Sequence, residues 1–187
     1  MKFIDKIVET SRNPHSPRNQ FVARVLPFFV FFFLFPALLF IIPAFVFDKW
    51  LQLPTLLSFP IRIVPGAVLI ALGIFFLVSS TKAQREIGKG TPMPLKATQK
   101  LVVEKSYSYC RNPLYFGLIN FFFGISIMIG SPSSLVMVFI FTAIILSYIK
   151  LIEEKELEKR YGNDYLEYKQ ATPLLIPWLP LFRRNRK

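Results

Sequence analysis

Two short segments of this sequence carry most of the side chains that could do chemistry. The first, Arg111-Asn112-Pro113-Leu114-Tyr115, offers a cation, an amide and a phenol, and the second, Glu153-Glu154, offers two carboxylates. An apolar stretch with a turn near its middle separates the two segments, so the chain can fold back and bring them together. Such a mixture of charged and polar groups suits a small zwitterionic ligand.

Each of these side chains also has a purely structural interpretation. Arg111 could extend its charge into a membrane interface. An aromatic belt at that interface is a second use for three tyrosines, Tyr107, Tyr109 and Tyr115. Glu153 and Glu154 differ by about 100° around a helix, so both can face one site only if its rim is broad.

Other kinds of chemistry have little support in the sequence. Cys110 is the only cysteine, which rules out an intrachain disulfide, and His15 is the only histidine, in a proline-rich stretch. A histidine-based metal site or a serine-histidine-aspartate triad is therefore not expected, and we predict no metal. The net charge of +12 does not indicate nucleic-acid binding, because the basic residues stand between apolar blocks rather than on one polar face.

The elements that must position these groups are transmembrane helices. The composition is 53% hydrophobic with 21 phenylalanines, and the mean hydropathy of +0.45 is too high for a soluble domain of this size. Four apolar blocks predict an all-α integral membrane protein with four transmembrane helices, namely Val25 to Phe47, Ile61 to Ser80, Leu114 to Gly130 and Leu135 to Ile152. The turn Gly130-Ser131-Pro132-Ser133 makes the third and fourth spans a hairpin, which returns Arg111 and Glu153 to one surface.

Several details of the first block bear on this prediction. It starts too late and runs too long for a signal peptide, so we expect it to remain as a span. Pro27, Pro36 and Pro43 imply kinks, which a bilayer tolerates if neighbouring groups satisfy the freed carbonyls.

The orientation follows from the lysines and arginines, which are preferentially retained in the cytoplasm. Five precede the first span, seven lie in 81–111 and nine follow from Lys150 onward; only Lys49 and Arg62 lie elsewhere. Both termini and the middle segment are therefore predicted to be cytoplasmic. The lysine- and phenylalanine-rich style suggests a prokaryotic inner membrane.

This topology divides the chain into three parts. Residues 1–24 form a cytoplasmic segment that could hold an interfacial helix, 25–80 form the first transmembrane hairpin, and 81–187 form the core with the candidate site.

A helical C-terminal region is predicted within that core. A charged amphipathic helix should continue from Glu153 to Gly162, and Asp164-Tyr165-Leu166-Glu167 is typical of a capping box that opens another helix. Pro173 should end it, and 173–182 should lie at the interface or dip into it.

The core also resembles a known family. Its matching motifs are Gly90-Thr91-Pro92-Met93-Pro94, Lys100-Leu101-Val102, Tyr107 to Gly117, Glu153-Glu154, Arg160-Tyr161-Gly162, Tyr165, Tyr168 and Ile176-Pro177. In this order, with apolar spans between them, these motifs resemble the isoprenylcysteine carboxyl methyltransferase and phospholipid methyltransferase family. The resemblance covers roughly the second half of the chain.

The resemblance implies a membrane enzyme that binds S-adenosylmethionine and methylates a lipid or lipid-linked acceptor entering from the bilayer. By resemblance, the catalytic residues would be Arg111, Asn112 and Tyr115. The cofactor-binding residues would be Arg111, Asn112, Pro113, Tyr115, Gly117, Gly124, Glu153 and Glu154.

The sequence departs from the family pattern at two places. Asn112 stands where many members have histidine, so no general base is assigned there, and Lys105-Ser106 stands where a glycine is common.

An NADPH-dependent reductase of the sterol-reductase type is one alternative function, and a non-catalytic membrane protein is another. Gly124 and Gly130 could instead permit close helix packing.

Overall fold

The structure is a computed structural model that describes residues 29–88 and 98–177. All regular secondary structure in these two ranges is helical. The predicted interfacial helix in 1–24, the motif at Gly90 to Pro94 and the tail from Trp178 lie outside the described residues.

The first helical segment, α1, runs through residues 29–50 and is largely π-helical. Its π turns are Val30–Leu34, Ala37–Ile41 and Pro43–Phe47, and it ends in the α-helical turn Asp48–Trp50. Proline lacks an N–H group, so Pro43 cannot donate a helical hydrogen bond. Near Pro43, the Ser134 hydroxyl donates to the carbonyl of Leu39 at 2.7 Å. That neighbouring groups satisfy the carbonyls freed by the prolines stays a prediction.

Five further helices follow. They are α2 (Phe59–Glu86), α3 (Pro113–Ile129), α4 (Pro132–Tyr148), α5 (Glu154–Tyr161) and α6 (Asn163–Ala171). A π turn at Ile149–Glu153 joins α4 to α5 without a break. Among the described residues, two continuous helices are long and apolar enough to cross a membrane, Phe59–Glu86 and Pro132–Tyr161, and α3 is a shorter apolar helix. The described residues are therefore all-helical, with two candidate membrane-spanning helices.

The predicted end of α5 is found in the structure, whereas the predicted start of α6 is not. Gly162 ends α5 with a φ of 56°, as expected for a C-terminal glycine. The predicted capping box from Asp164 to Glu167 is wrong, since α6 begins at Asn163 and no side chain caps it. Gly162 passes the chain directly from one helix to the next, which places Asp164 inside the first turn.

The chain divides into two compact units. Of the described residues, unit 1 contains 74–88, 98–118 and 149–177, and unit 2 contains 29–73 and 119–148. In unit 2, helices α2 and α3 approach closely at Gly66 and Gly124, where a Cβ on Gly124 would lie 2.7 Å from the Gly66 carbonyl oxygen. Any larger residue at Gly124 would push the two helices apart.

The predicted turn between α3 and α4 is also in unit 2. Gly130 has a φ of 75°, a conformation that glycine adopts without steric cost. Arg62 donates from Nη1 to the carbonyl of Ile129 at 2.7 Å. The turn thus begins where an arginine satisfies one of the last carbonyls of α3.

Candidate functional site

Unit 1 contains an ion pair between the two predicted site segments. Arg111 donates from Nη1 to Glu154 Oε1 at 2.6 Å. Both side chains are nearly buried, at 9% and 10% exposure. The predicted meeting of the segments at Arg111 and Glu154 is confirmed. Because a charged hydrogen bond in a dry environment is strong and directional, it fixes the guanidinium in place.

The second oxygen of Glu154 is engaged by a lysine that the sequence analysis did not select. Lys169 Nζ lies 2.7 Å from Glu154 Oε2 and 2.8 Å from Glu158 Oε1. The two carboxylates hold the pKa of Lys169 above its usual value. Two cations and two carboxylates therefore alternate across helices α5, α6 and the start of α3.

A buried tyrosine lies against the same arginine. Tyr165 is 2% exposed and its hydroxyl hydrogen-bonds to the Arg111 side chain, while burial raises the pKa of this phenol. Tyr165 and Lys169 lie one helical turn apart on the same face of α6, so both can reach the Arg111–Glu154 pair. In the sequence, Tyr165 is singled out only by the family resemblance.

Glu153 is held differently from Glu154. It hydrogen-bonds to Tyr115, the phenol predicted to line the site. Its Oε2 is buried and has no hydrogen-bond partner among the described residues. The Nε of Arg111 is also buried, and it too has no hydrogen-bond partner among the described residues. Unpaired buried donors and acceptors are rare in native proteins, so these two atoms are candidates for contact with a water molecule or a ligand.

A second polar cluster, which the sequence analysis did not predict, surrounds Tyr107. The Tyr107 hydroxyl lies 2.6 Å from the side-chain amide of Gln84, and the Tyr168 hydroxyl donates to the Tyr107 carbonyl at 2.6 Å. Burial raises the pKa of Tyr107, and the negative charge of Glu153 adds to the rise. The Oε1 of Gln84 and the Oγ of Ser106 are further buried atoms that have no hydrogen-bond partner in the part of the chain that the structure describes.

The loop before Tyr107 keeps a glycine-like conformation without a glycine. Lys105 has a φ of 56°, in the left-handed region that non-glycine residues adopt only at a steric cost. Its side chain forms an ion pair with Glu86 at the end of α2. Within Lys105-Ser106, where the resemblance leads us to expect a glycine, Lys105 thus adopts a backbone conformation that favours glycine.

The segment after α6 is tied to the start of α3. The backbone N–H of Arg111 donates to the Pro173 carbonyl at 2.8 Å. Asn112 donates from Nδ2 to the Leu174 carbonyl at 3.0 Å. The side chain of Asn112 is thereby used to hold 173–174 in place.

The remaining predicted site residues lie on α3. Pro113 begins the helix and is fully buried, and Gly117 is buried in unit 1. Gly124 lies in unit 2, where it packs against Gly66. Its position favours the helix-packing interpretation of this glycine.

Metal ligands do not cluster in the described parts of the chain. No group of three or more histidine, cysteine or acidic side chains there could hold a metal ion. Cys110 is fully buried, and burial raises the pKa of its thiol to about 12. It packs as a small neutral side chain.

Two comparisons with known proteins found matches. The sequence model of the family described as phospholipid methyltransferase matches residues 61–164, more than half of the chain. A methanethiol S-methyltransferase from Bradyrhizobium diazoefficiens is 32% identical over 75 residues, which are 38% of this chain and 24% of the relative. The chain thus spans about a quarter of the length of that relative. No solved structure matches.

Proposed function

Since the chain belongs to the phospholipid methyltransferase family, we propose that it is a methyltransferase with S-adenosylmethionine as its methyl donor. The observation that carries this proposal is the two unpaired buried atoms, Arg111 Nε and Glu153 Oε2. One is a cationic donor and the other an anionic acceptor. The cofactor has matching groups, namely a carboxylate, an ammonium and ribose hydroxyls, so the residues present fit it.

The two glutamates take different roles in this proposal. Both oxygens of Glu154 are engaged by protein cations, whereas Glu153 keeps one oxygen free. Glu153 therefore binds the ammonium or a ribose hydroxyl of the cofactor, and Glu154 orients Arg111 toward its carboxylate. Tyr115 hydrogen-bonds to the carboxyl group of Glu153 and thereby fixes the direction of its unpaired oxygen, Oε2.

The chemistry needs positioning more than covalent assistance. The cofactor supplies an electrophilic methyl group that a nucleophile attacks in line with the carbon–sulfur bond. The side chains of Arg111 and Glu153 fix where the donor lies, and proximity and orientation of this kind supply much of the rate. Tyr107 and Gln84 add polar groups near Glu153. The Gln84 Oε1 has no partner among the described residues and can accept a hydrogen bond from a ligand.

The four-span topology is part of the same proposal. Helices α2 and α4–α5 are long enough to cross the bilayer by themselves. Helix α1, through residues 29–50, and the apolar α3 would supply the other two spans. The charged ends with Arg111 and Glu154 then face the cytoplasm, as the lysine and arginine distribution predicts. The termini would also be cytoplasmic, in a prokaryotic inner membrane.

The acceptor in this proposal is lipid-soluble and enters sideways from the bilayer. A lipid or lipid-linked amine, carboxylate or other small nucleophile fits this route. The similarity to a methanethiol S-methyltransferase adds a small thiol as a second acceptor class. The family match favours methyl transfer over the reductase and non-catalytic alternatives.

Membranes that contain the protein provide the test. They are incubated with S-adenosylmethionine carrying a radiolabelled methyl group, and the lipid, protein and volatile fractions are counted separately. Label in the lipid or protein fraction identifies a lipid or lipid-linked acceptor, and label in the volatile fraction after addition of a small thiol identifies a thiol. Glu153→Gln should reduce the labelling at low cofactor concentration, and Glu167→Gln, at an exposed position on α6, is the matched control that should keep it. Absence of label from all three fractions would contradict the proposal.

A further inference from the structure

Helix α6 presents one face to the ion pair of the site. Tyr165 and Tyr168 are both held there, the first at Arg111 and the second at the carbonyl of Tyr107. Lys169 comes one turn after Tyr165 and reaches Glu154. This short helix thus contributes a contact to each part of the site in unit 1.

Lys169 is a second cation at the Glu154 carboxylate. Its Nζ lies 2.7 Å from Glu154 Oε2 and 2.8 Å from Glu158 Oε1. The Glu154 side chain is 10% exposed, whereas that of Glu158 is 35% exposed and is also stabilised by solvent. A buried carboxylate that loses one of its partners is costly, and it relaxes by moving or by drawing its remaining partner toward itself.

The geometry shows what Lys169 does for the arginine. Because Lys169 holds Oε2, rotation of the Glu154 carboxylate would break that ion pair, and Oε1 stays directed at Arg111 Nη1. Glu154 therefore holds Arg111 through one terminal nitrogen, and Tyr165 adds a hydrogen bond to the same side chain. The Arg111 Nε has no partner among the described residues. If Lys169 were absent, the carboxylate could turn and take both Nη1 and Nε, as arginine–carboxylate pairs commonly do.

We infer that Lys169 is a positioning residue for the methyl-transfer site, which acts through Glu154 to keep the Nε of Arg111 free for the cofactor. The inference rests on the proposed function, because it concerns how Arg111 is presented to S-adenosylmethionine. It assigns Lys169 no direct contact with either substrate.

The test measures cofactor affinity by calorimetry on the purified full-length protein. Lys169→Met and the milder Lys169→Gln should each weaken S-adenosylmethionine binding by about tenfold, since small displacements of a positioning group have effects of this size or larger. Lys169→Arg keeps the charge and should recover most of the affinity. Lys155→Met, which removes an exposed lysine from the same helix as Glu154, should bind like the unchanged protein.

A double-variant cycle separates positioning from other roles. In a Glu154→Gln background, Lys169→Met should cause almost no further loss of affinity, because its effect passes through Glu154. Thermal midpoints measured without cofactor show that each variant is folded. A purely structural lysine would lower these midpoints and leave the affinity of the folded protein unchanged.

Three outcomes would overturn the inference. Unchanged affinity in Lys169→Met or Lys169→Gln, when the unchanged protein binds the cofactor, would refute the positioning role alone. A full additional loss in the Glu154→Gln background would show that Lys169 acts directly. Absence of binding by the unchanged protein would instead reject the proposed function, and the inference with it.

Discussion

Arg111 and Glu154 lie far apart in sequence but form a 2.6 Å ion pair in which both side chains are about nine-tenths buried. Removal of one partner from a buried pair is expected to cost about 3–5 kcal/mol, because it leaves an uncompensated charge. Replacement of both partners by apolar residues is often neutral. This asymmetry allows the structural role of the pair to be separated from its role in binding.

Arg111→Met should therefore lower the free energy of unfolding by about 3 kcal/mol and abolish cofactor binding. The double variant Arg111→Met with Glu154→Met should recover most of this stability but none of the binding. Chemical denaturation and calorimetry on the same preparations check the two parts. Recovery of binding in the double variant would show that Arg111 only supports the fold.

Glu153→Gln should weaken cofactor binding with little effect on stability. The side chain makes no ion pair among the described residues, and glutamine can keep the contact with Tyr115. A hydrogen bond to a charged group contributes about 1.5–3 kcal/mol, so the affinity should fall by about tenfold or more. Glu167→Gln, at an exposed position on α6, is the matched control. Equal affinities in the two variants would exclude Glu153 from the cofactor site.

Lys105 should respond to substitution according to its backbone conformation. Lys105→Gly removes the cost of the left-handed conformation, about 1–2 kcal/mol, and loses only an exposed ion pair with Glu86. The stability should therefore stay equal or rise, while Lys105→Val should lower it. Thermal unfolding measures both, and Glu86→Gln reports the ion pair separately. A stabilising valine would contradict the left-handed conformation.

The buried phenols and thiol of unit 1 predict a loss of stability at alkaline pH. Burial raises the pKa of Cys110 from 9.0 to about 12 in the folded protein. Its contribution is complete below pH 9 and is lost between pH 9 and 12, because the unfolded thiol ionises first. Cys110→Ala should reduce this loss. At pH 8 the thiol should react with iodoacetamide only after unfolding, and rapid reaction in the folded protein would disprove its burial.

The contact between Ser134 and Leu39 predicts a coupled pair of substitutions in unit 2. Ser134→Ala should destabilise the protein by about 0.6–2 kcal/mol, since it leaves the Leu39 carbonyl without a donor. Pro43→Ala restores a backbone N–H near that carbonyl. The loss caused by Ser134→Ala should therefore be smaller in the Pro43→Ala background. Equal losses in both backgrounds would show that the hydroxyl does not compensate for the proline.

The sequence predicted that the segment at Arg111 would lie near Glu153-Glu154, because a hairpin of two apolar helices brings its two ends to the same side. It named Glu153 as the residue closest to Arg111, whereas the ion pair is formed by Glu154. It did not predict Lys169, since a lysine on a short polar helix is normally solvated and only the tertiary placement of α6 directs it to Glu154. The capping box at Asp164 failed for a local reason, because Gly162 joins α5 to α6 directly. The packing of Gly124 against Gly66 depends on a contact between distant segments that no local pattern contains.

The conformation of Lys105 shows a further limit of sequence reasoning. A lysine in place of a common glycine suggests a changed loop, because lysine disfavours a positive φ. In the structure, Lys105 has a positive φ, and the side chain of this residue forms the ion pair with Glu86. The contacts of Tyr107 with Gln84 and Tyr168 join segments far apart in the sequence, and motif spacing does not predict them.

The most direct test of the central claim is calorimetric titration of the purified, detergent-solubilised protein with S-adenosylmethionine. We expect saturable one-site binding that weakens by about tenfold or more in Glu153→Gln and is retained in Glu167→Gln. Binding of NADPH in place of S-adenosylmethionine, or no binding of S-adenosylmethionine by the folded protein, would contradict the account.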